Sequence, residues 1–171
     1  RKFIPAVLQS PSPMGNPHFL AIDFGLCEDG KGGITPQLIE LQAFPTLFFY
    51  QPFLGEAFMQ YYPNMPKEGF DYYLNGLDKQ SYTEKVRKVI LGDEKPENVI
   101  LLELFPEKQK TRIDFWSTKK ALGIEIVCMT KVLKEGKKLF YMKDGTKTPI
   151  HRIYNRVIYD ELERLKDLKT N

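Results

Sequence analysis

Glu40 and Gln42 stand two residues apart in the run Gln37-Leu-Ile-Glu-Leu-Gln42. Side chains alternate along a strand, so Leu38, Glu40 and Gln42 are expected on one face, with Ile39 and Leu41 on the other. A carboxylate and an amide oxygen side by side are ligand types that Mg²⁺ accepts, with phosphate and water completing its shell. The same spacing also fits a plain half-exposed strand, and two ligands do not make a complete site. Arg152 and Arg156 are the second set, with Tyr154 on the same face of a strand through Arg152-Ile-Tyr-Asn-Arg-Val157. The planar arginine fork can grip a carboxylate through two parallel hydrogen bonds. A surface ion pair with Asp160 or Glu161 is the competing reading.

Other familiar chemistry is missing from the sequence. It has no GxxxxGK[ST], no GxGxxG after a strand, no GxSxG and no HExxH. The two histidines, His18 and His151, are far apart in sequence and suggest no dyad or metal pair. Cys27 and Cys128 form no CxxC and are expected to be buried, reduced thiols.

With 171 residues, 42% of them hydrophobic, the chain has the bulk for a real core. That composition excludes disorder, collagen and a disulfide-dense scaffold. The formal net charge of +3 makes no general case for nucleic acid. It is unevenly spread: residues 1–60 carry three basic and five acidic side chains, residues 131–171 eleven and six. The basic C-terminal part is either a solvated face or a surface for an anionic substrate. No apolar run approaches the roughly 18–20 residues of a membrane helix, and no signal-peptide core opens the chain. A cytoplasmic protein with no membrane partner is expected.

The elements that would position these side chains are readable in outline. Residues 1–17 form an irregular Pro-rich leader. Two strands around the Gly-rich turn 28–33 predict a hairpin. Residues 47–75 are strongly aromatic, with a helix over roughly 52–62 interrupted by Pro63 and Pro66. Such clusters are usually core, and an interface between copies is the alternative. Ser81-Tyr-Thr-Glu84 predicts a capping box. The apolar run Glu97–Glu103, a helix over roughly 111–122 closed by Gly123, and the strand Ile124–Met129 predict a βαβ unit with parallel strands. Asp144-Gly145 predicts a second hairpin, Arg152–Val157 a last strand, and a helix runs from Asp160 to about Leu168. The expected fold is a single three-layer α/β domain, 1–171. It comprises the leader, a hairpin and aromatic helical part (18–80), and a Rossmann-like unit with a mixed, mostly parallel sheet (81–171).

The order of these blocks resembles the substrate-binding part of circularly permuted ATP-grasp ligases, the glutathione synthetase and glutathionylspermidine synthetase-like proteins. Leu20-Ala-Ile-Asp-Phe-Gly25 resembles the family's strand with an Asp beside an aromatic. Leu38-Ile-Glu-Leu-Gln-Ala-Phe-Pro-Thr46 resembles its metal strand and turn. Val99 to Val127, Leu139–Gly145 and Ile153-Tyr-Asn-Arg156 resemble its Rossmann-like unit. The resemblance implies Mg²⁺ ligands at Glu40 and Gln42, where Gln replaces the family's Asn and adds a methylene. It implies substrate contacts at Arg156, Tyr159, Thr46 and Asp23.

The lysines, glycine-rich lid and further carboxylates of the ATP site would follow the Tyr-x-Arg strand in such proteins. The chain, opening on Arg1 and ending at Asn171, is therefore expected to be a piece of a longer ligase. Mg²⁺ and ATP are expected for the complete protein, and neither is expected to bind this piece tightly. The substrates would be a small acid and an amine or thiol, and the piece alone would turn over nothing. Copies could associate through 47–75. The alternative is a non-catalytic binding domain derived from the same fold. A generic nucleotide-binding Rossmann domain is disfavoured by the missing glycine fingerprint.

Overall fold

The computed structural model describes residues 17–42, 44–62, 64 and 72–164. Expectations for the leader, for Ala43, for Pro63 and Pro66, and for the last helix beyond Arg164 lie outside the described residues. The chain divides into two compact units between Pro45 and Thr46.

The first unit is a hairpin of β1 (Ala21–Glu28) and β2 (Ile34–Gln42). Its turn is organised by Asp29, whose carboxylate accepts the N–H groups of Lys31 and Gly33 at 2.8 and 2.9 Å. These bonds hold the Asp29 carboxyl below its ordinary value. Gly30 and Gly32 have φ of 74° and 84°, a region that costs any side-chain-bearing residue.

The register slips between Asp23 and Phe24: Asp23 pairs with Glu40, but Phe24 pairs with Leu38. Ile39 is the extra residue of a β-bulge. This corrects the simple alternation. Leu38 and Leu41 share one face with Ile22, Phe24 and Leu26, and all five are exposed. Asp23, Glu40, Gln42, Gln37 and Thr35 share the opposite face. Ile39 lies there too, its Cδ1 3.5 Å from where a Cβ on Gly25 would sit. Cys27, paired with Thr35 on this polar face, is exposed rather than buried.

The second unit is mixed α/β. Its elements are α1 (Tyr50–Tyr61), α2 (Lys79–Leu91), β3 (Val99–Glu103), α3 (Arg112–Leu122), β4 (Glu125–Cys128), β5 (Leu133–Glu135), β6 (Lys138–Lys143), β7 (Thr146–Ile150), β8 (Arg152–Asn155) and α4 (Tyr159–Arg164). The expected βαβ unit is present: β3 and β4 are parallel and joined through α3. Strand β8 adds in parallel on the other side of β3, in the order β4-β3-β8. Strands β5, β6 and β7 form a separate antiparallel meander. Short β5 was not expected. Its Leu133-Lys-Glu135 offers too little apolar pattern to be seen without its partner β6.

Val99, Ile100 and Leu101 are completely buried, as a central parallel strand requires. One face of β3 packs Ile100 and Leu102 against Val127, Val132, Tyr141 and Ile150. On the other face Leu101 and Glu103 stand in register with Ile126 and Cys128 of β4 and with Tyr154 of β8. Helix α2 starts one turn earlier than the Ser81 box suggested. Asp78 is its N-cap, accepting Ser81 N–H at 2.7 Å, and Ser81 Oγ returns a bond from Asp78 N–H at 2.9 Å. Ser81 is thus the far member of the box. The aromatic segment is only partly core: Phe49 is buried, while Phe53, Phe58, Tyr61, Tyr62 and Tyr72 are exposed.

Arg152 makes no pair with Asp160 or Glu161. Its Nε and Nη2 donate to the carbonyls of Ile90 and Val89 at 2.8 and 2.9 Å, capping the end of α2. Arg152→Ala is expected to lower stability by roughly 1–2 kcal/mol, with Lys recovering less than half because it lacks the fork. Urea unfolding checks this; a loss below about 0.5 kcal/mol would contradict the cap.

Candidate functional site

On the polar face of the hairpin, the bulge brings three expected residues together. Gln42 Nε2 donates to Asp23 Oδ2 at 2.9 Å and, more weakly, to Glu40 Oε1 at 3.4 Å. Asp23 and Glu40 are directly paired across the strands, so their carboxylates project side by side. Asp23 and Gln42 are half-buried and Glu40 is exposed. Two like charges at this spacing repel, and the amide N–H groups between them offset the repulsion. Among the described residues no cluster of three or more His, Cys, Asp or Glu side chains could hold a metal. This group offers two carboxylates and one amide.

The remaining expected residues lie in the second unit. Thr46 Oγ1 donates to Asp114 Oδ2 at 3.4 Å. Asp114, almost fully buried in the first turn of α3, also accepts the N–H groups of Leu47 (3.2 Å), Phe49 (3.1 Å) and Tyr50 (2.9 Å). One carboxylate thus takes up backbone donors at the start of α1 and ties that helix to α3. The Tyr82 hydroxyl adds a bond to Phe48 O at 2.7 Å. Thr46 is therefore part of a structural anchor.

Arg156 is buried. Its backbone N–H extends the β8 ladder to Leu102 O at 2.8 Å. Its guanidinium carbon lies 5.9 Å from the Tyr154 ring centroid. Burial pushes the Tyr154 hydroxyl up to about 12, and the Arg156 charge opposes that rise. Tyr159 is exposed, and Glu163 beside its hydroxyl raises that group above its ordinary value.

Two further side chains belong to this end of the sheet. Glu103, the last residue of β3, is buried, and its Oε1 accepts Leu104 N–H at 2.6 Å. Cys128, the last residue of β4, accepts Phe105 N–H at 3.4 Å and lies 3.1 Å from Thr130 Oγ1. Burial alone would raise the Cys128 thiol, but these hydrogen bonds and Lys131 outweigh it and bring it below its ordinary value. Cys128 also lines a cleft of about 750 Å³ beside β4 and β6, with Lys108, Lys119 and Lys131 at its walls. Sequence reasoning passed over Glu103. A charged residue closing a fully apolar strand was the available signal, because ligands of parallel α/β sheets seat at the carboxyl ends of strands.

Among the described residues no helix is long and apolar enough to cross a membrane. No protein-family model, no curated protein and no solved structure matches this chain, so its functional reading rests on its own residues.

Proposed function

We infer that this chain is the substrate-binding portion of an ATP-grasp-type ligase that joins a small carboxylic acid to an amine or thiol. Its second unit would be the Rossmann-like part of that enzyme. The observation that carries the reading is the convergence of Asp23, Glu40 and Gln42 on one hairpin face. Two carboxylates and an amide are hard oxygen ligands suited to Mg²⁺. The Gln42 amide now directs its N–H toward both acids; turned over about its last bond, it offers Oε1 to a cation held by the same pair. The longer Gln arm reaches diagonally from the Ala21 position to Asp23, which a shorter Asn would not do as readily. When bound, Mg²⁺ would neutralise phosphate charge as the acid is activated. Arg156 would grip the acid's carboxylate at the end of the parallel sheet, and Tyr159 would stand near it.

A non-catalytic interaction domain is the second reading. The exposed apolar face of the hairpin and the half-exposed aromatics of α1 favour it. Mn²⁺, used as a paramagnetic probe for Mg²⁺, separates the two. The ligase reading expects one weakly held Mn²⁺ on this chain, seen by paramagnetic broadening at the hairpin face, displaced by excess Mg²⁺, and at least about tenfold weaker still in Glu40→Gln. Equal Mn²⁺ binding by the wild type and Glu40→Gln would leave the interaction domain as the better account.

A further inference from the structure

Helix α3 presents two faces. Asp114, Phe115, Thr118 and Leu122 on one of them are buried. Ile113, Trp116, Ser117, Lys120 and Ala121 recur on the other at the i, i+3, i+4, i+7, i+8 spacing of a helical stripe. That stripe forms one wall of a cleft of about 500 Å³ within the second unit. Phe53 of α1 and Tyr82 of α2 stand on its other walls. Trp116, Phe53 and Ile113 are 51%, 52% and 44% exposed, so large apolar surface lies open in a concave site. Other rings of the lining are held in place. Asp114 takes up the Phe49 N–H at 3.1 Å, the Tyr82 hydroxyl donates to Phe48 O at 2.7 Å, and the Tyr73 and Tyr82 ring centroids are 5.3 Å apart. Phe49, Tyr73 and Tyr82 all line the cleft.

Three charged side chains line this cleft. Glu56 and Lys79 pair with each other at 2.7 Å and cancel. Lys120 has no carboxylate within ion-pair distance among the described residues. The hydroxyls of Thr83 and Ser117 already donate to Lys79 O and Ile113 O. The cleft therefore offers aromatic surface and one uncompensated cation. We propose that it binds a small aromatic carboxylic acid, with the ring against Trp116 and Phe53 and the carboxylate at Lys120. The volume is that of a small-molecule site, and such sites are mostly apolar with a few polar anchors. Trp, Phe and Tyr walls favour a flat ring, because ring quadrupoles prefer offset-stacked or edge-on partners. An amine finds no free anion here, since Lys79 already neutralises Glu56. Covering the half-exposed rings removes apolar surface from water and drives binding, while Lys120 selects for the acid. The ligase reading is not needed: none of its residues, Asp23, Glu40, Gln42, Thr46, Arg156 and Tyr159, lines this cleft.

Trp116 is the single tryptophan of this chain, so its emission reports on the cleft. Titration with 4-phenylbutanoate should shift that emission saturably to shorter wavelength, with a dissociation constant of about 1 mM or tighter. The matching alcohol, 4-phenylbutan-1-ol, keeps the ring without the charge and should bind about three- to tenfold more weakly. Butanoate keeps the charge without the ring and should give no saturable shift. Lys120→Gln should bring the acid to the affinity of the alcohol and leave the alcohol unchanged within about twofold. Phe53→Ala should weaken both by at least about threefold. Both side chains are exposed, so the two variants should keep the wild-type urea midpoint. No saturable shift with the acid, or full affinity in Phe53→Ala, overturns the site. Equal affinity for acid and alcohol, or an unchanged affinity for the acid in Lys120→Gln, overturns the ligand class. An emission shift on raising protein concentration alone means that a second copy covers the cleft, and also overturns the proposal.

Discussion

Asp114→Ala is expected to cost roughly 3–5 kcal/mol, a large share of a domain's usual stability. The reason is the number of donors that lose their acceptor at once. The N–H groups of Leu47, Phe49 and Tyr50 and the Thr46 hydroxyl all converge on this carboxylate. Phe49 is buried, so its N–H cannot turn to water instead. The loss also frees α1 from α3 and exposes the Phe49 ring. Asp114→Asn keeps one carbonyl oxygen and should cost about 1–2 kcal/mol less than alanine. Urea unfolding of the three proteins, followed by tyrosine and tryptophan fluorescence, checks the order. A loss below about 1 kcal/mol in the alanine variant would mean that the donors find other acceptors. Thr46→Ala removes only the longest of the four bonds and should change stability by less than about 1 kcal/mol.

Glu40→Ala is expected to abolish ligation in the longer polypeptide that the ligase reading requires, by about a thousandfold or more. Charge neutralisation at transferring phosphates is among the largest catalytic contributions, and it depends on the metal staying in place. Removing Glu40 leaves Asp23 as the single carboxylate of the group, with Gln42 donating to it. Glu40→Gln should be almost as inactive, since it keeps the shape and loses the charge. Gln42→Asn is the informative contrast: a shorter amide still offers an oxygen, so a reduction of about tenfold to a hundredfold is expected. Acid- and amine-dependent ADP release measures all three. Undiminished turnover in Glu40→Ala would remove the metal assignment. The hairpin polar face would then be an ordinary strand surface, and the fold of the second unit would be unaffected.

The βαβ core was legible because its signals are local and strong. The run Val99-Ile-Leu-Leu-Glu103 is apolar on both faces, and Gly123 ends α3 at φ 74° with its N–H on Lys119 O at 2.8 Å. The Asp144-Gly145 turn between β6 and β7 was equally plain, with both residues at positive φ. Two partial readings had physical causes. Ser-x-x-Glu is the stronger sequence pattern and points to Ser81 as the first box residue of α2, but the reciprocal bonds form with Asp78 one turn earlier. The aromatic composition of 47–75 points mainly to core, yet among the described residues of that segment Phe49 is the only buried ring.

At the candidate site, residue types and the shared strand face of Glu40 and Gln42 follow from the order of amino acids. The shared face of Tyr154 and Arg156 follows in the same way, since alternation is a property of the strand alone. Which residue stands opposite each of them is set by contacts between segments. The bulge at Ile39 moved Leu38 away from Glu40 and paired Glu40 with Asp23, a choice made between strands. The parallel register set Glu103 between Cys128 and Arg156 although 25 and 53 residues separate them along the chain. Asp114 reads as an ordinary acid in the first turn of a helix until α1 docks its backbone donors onto it. Burial and hydrogen-bond partners arise from contacts between distant segments, and these set charge state and position, so the sequence alone could name the groups without saying what each would face.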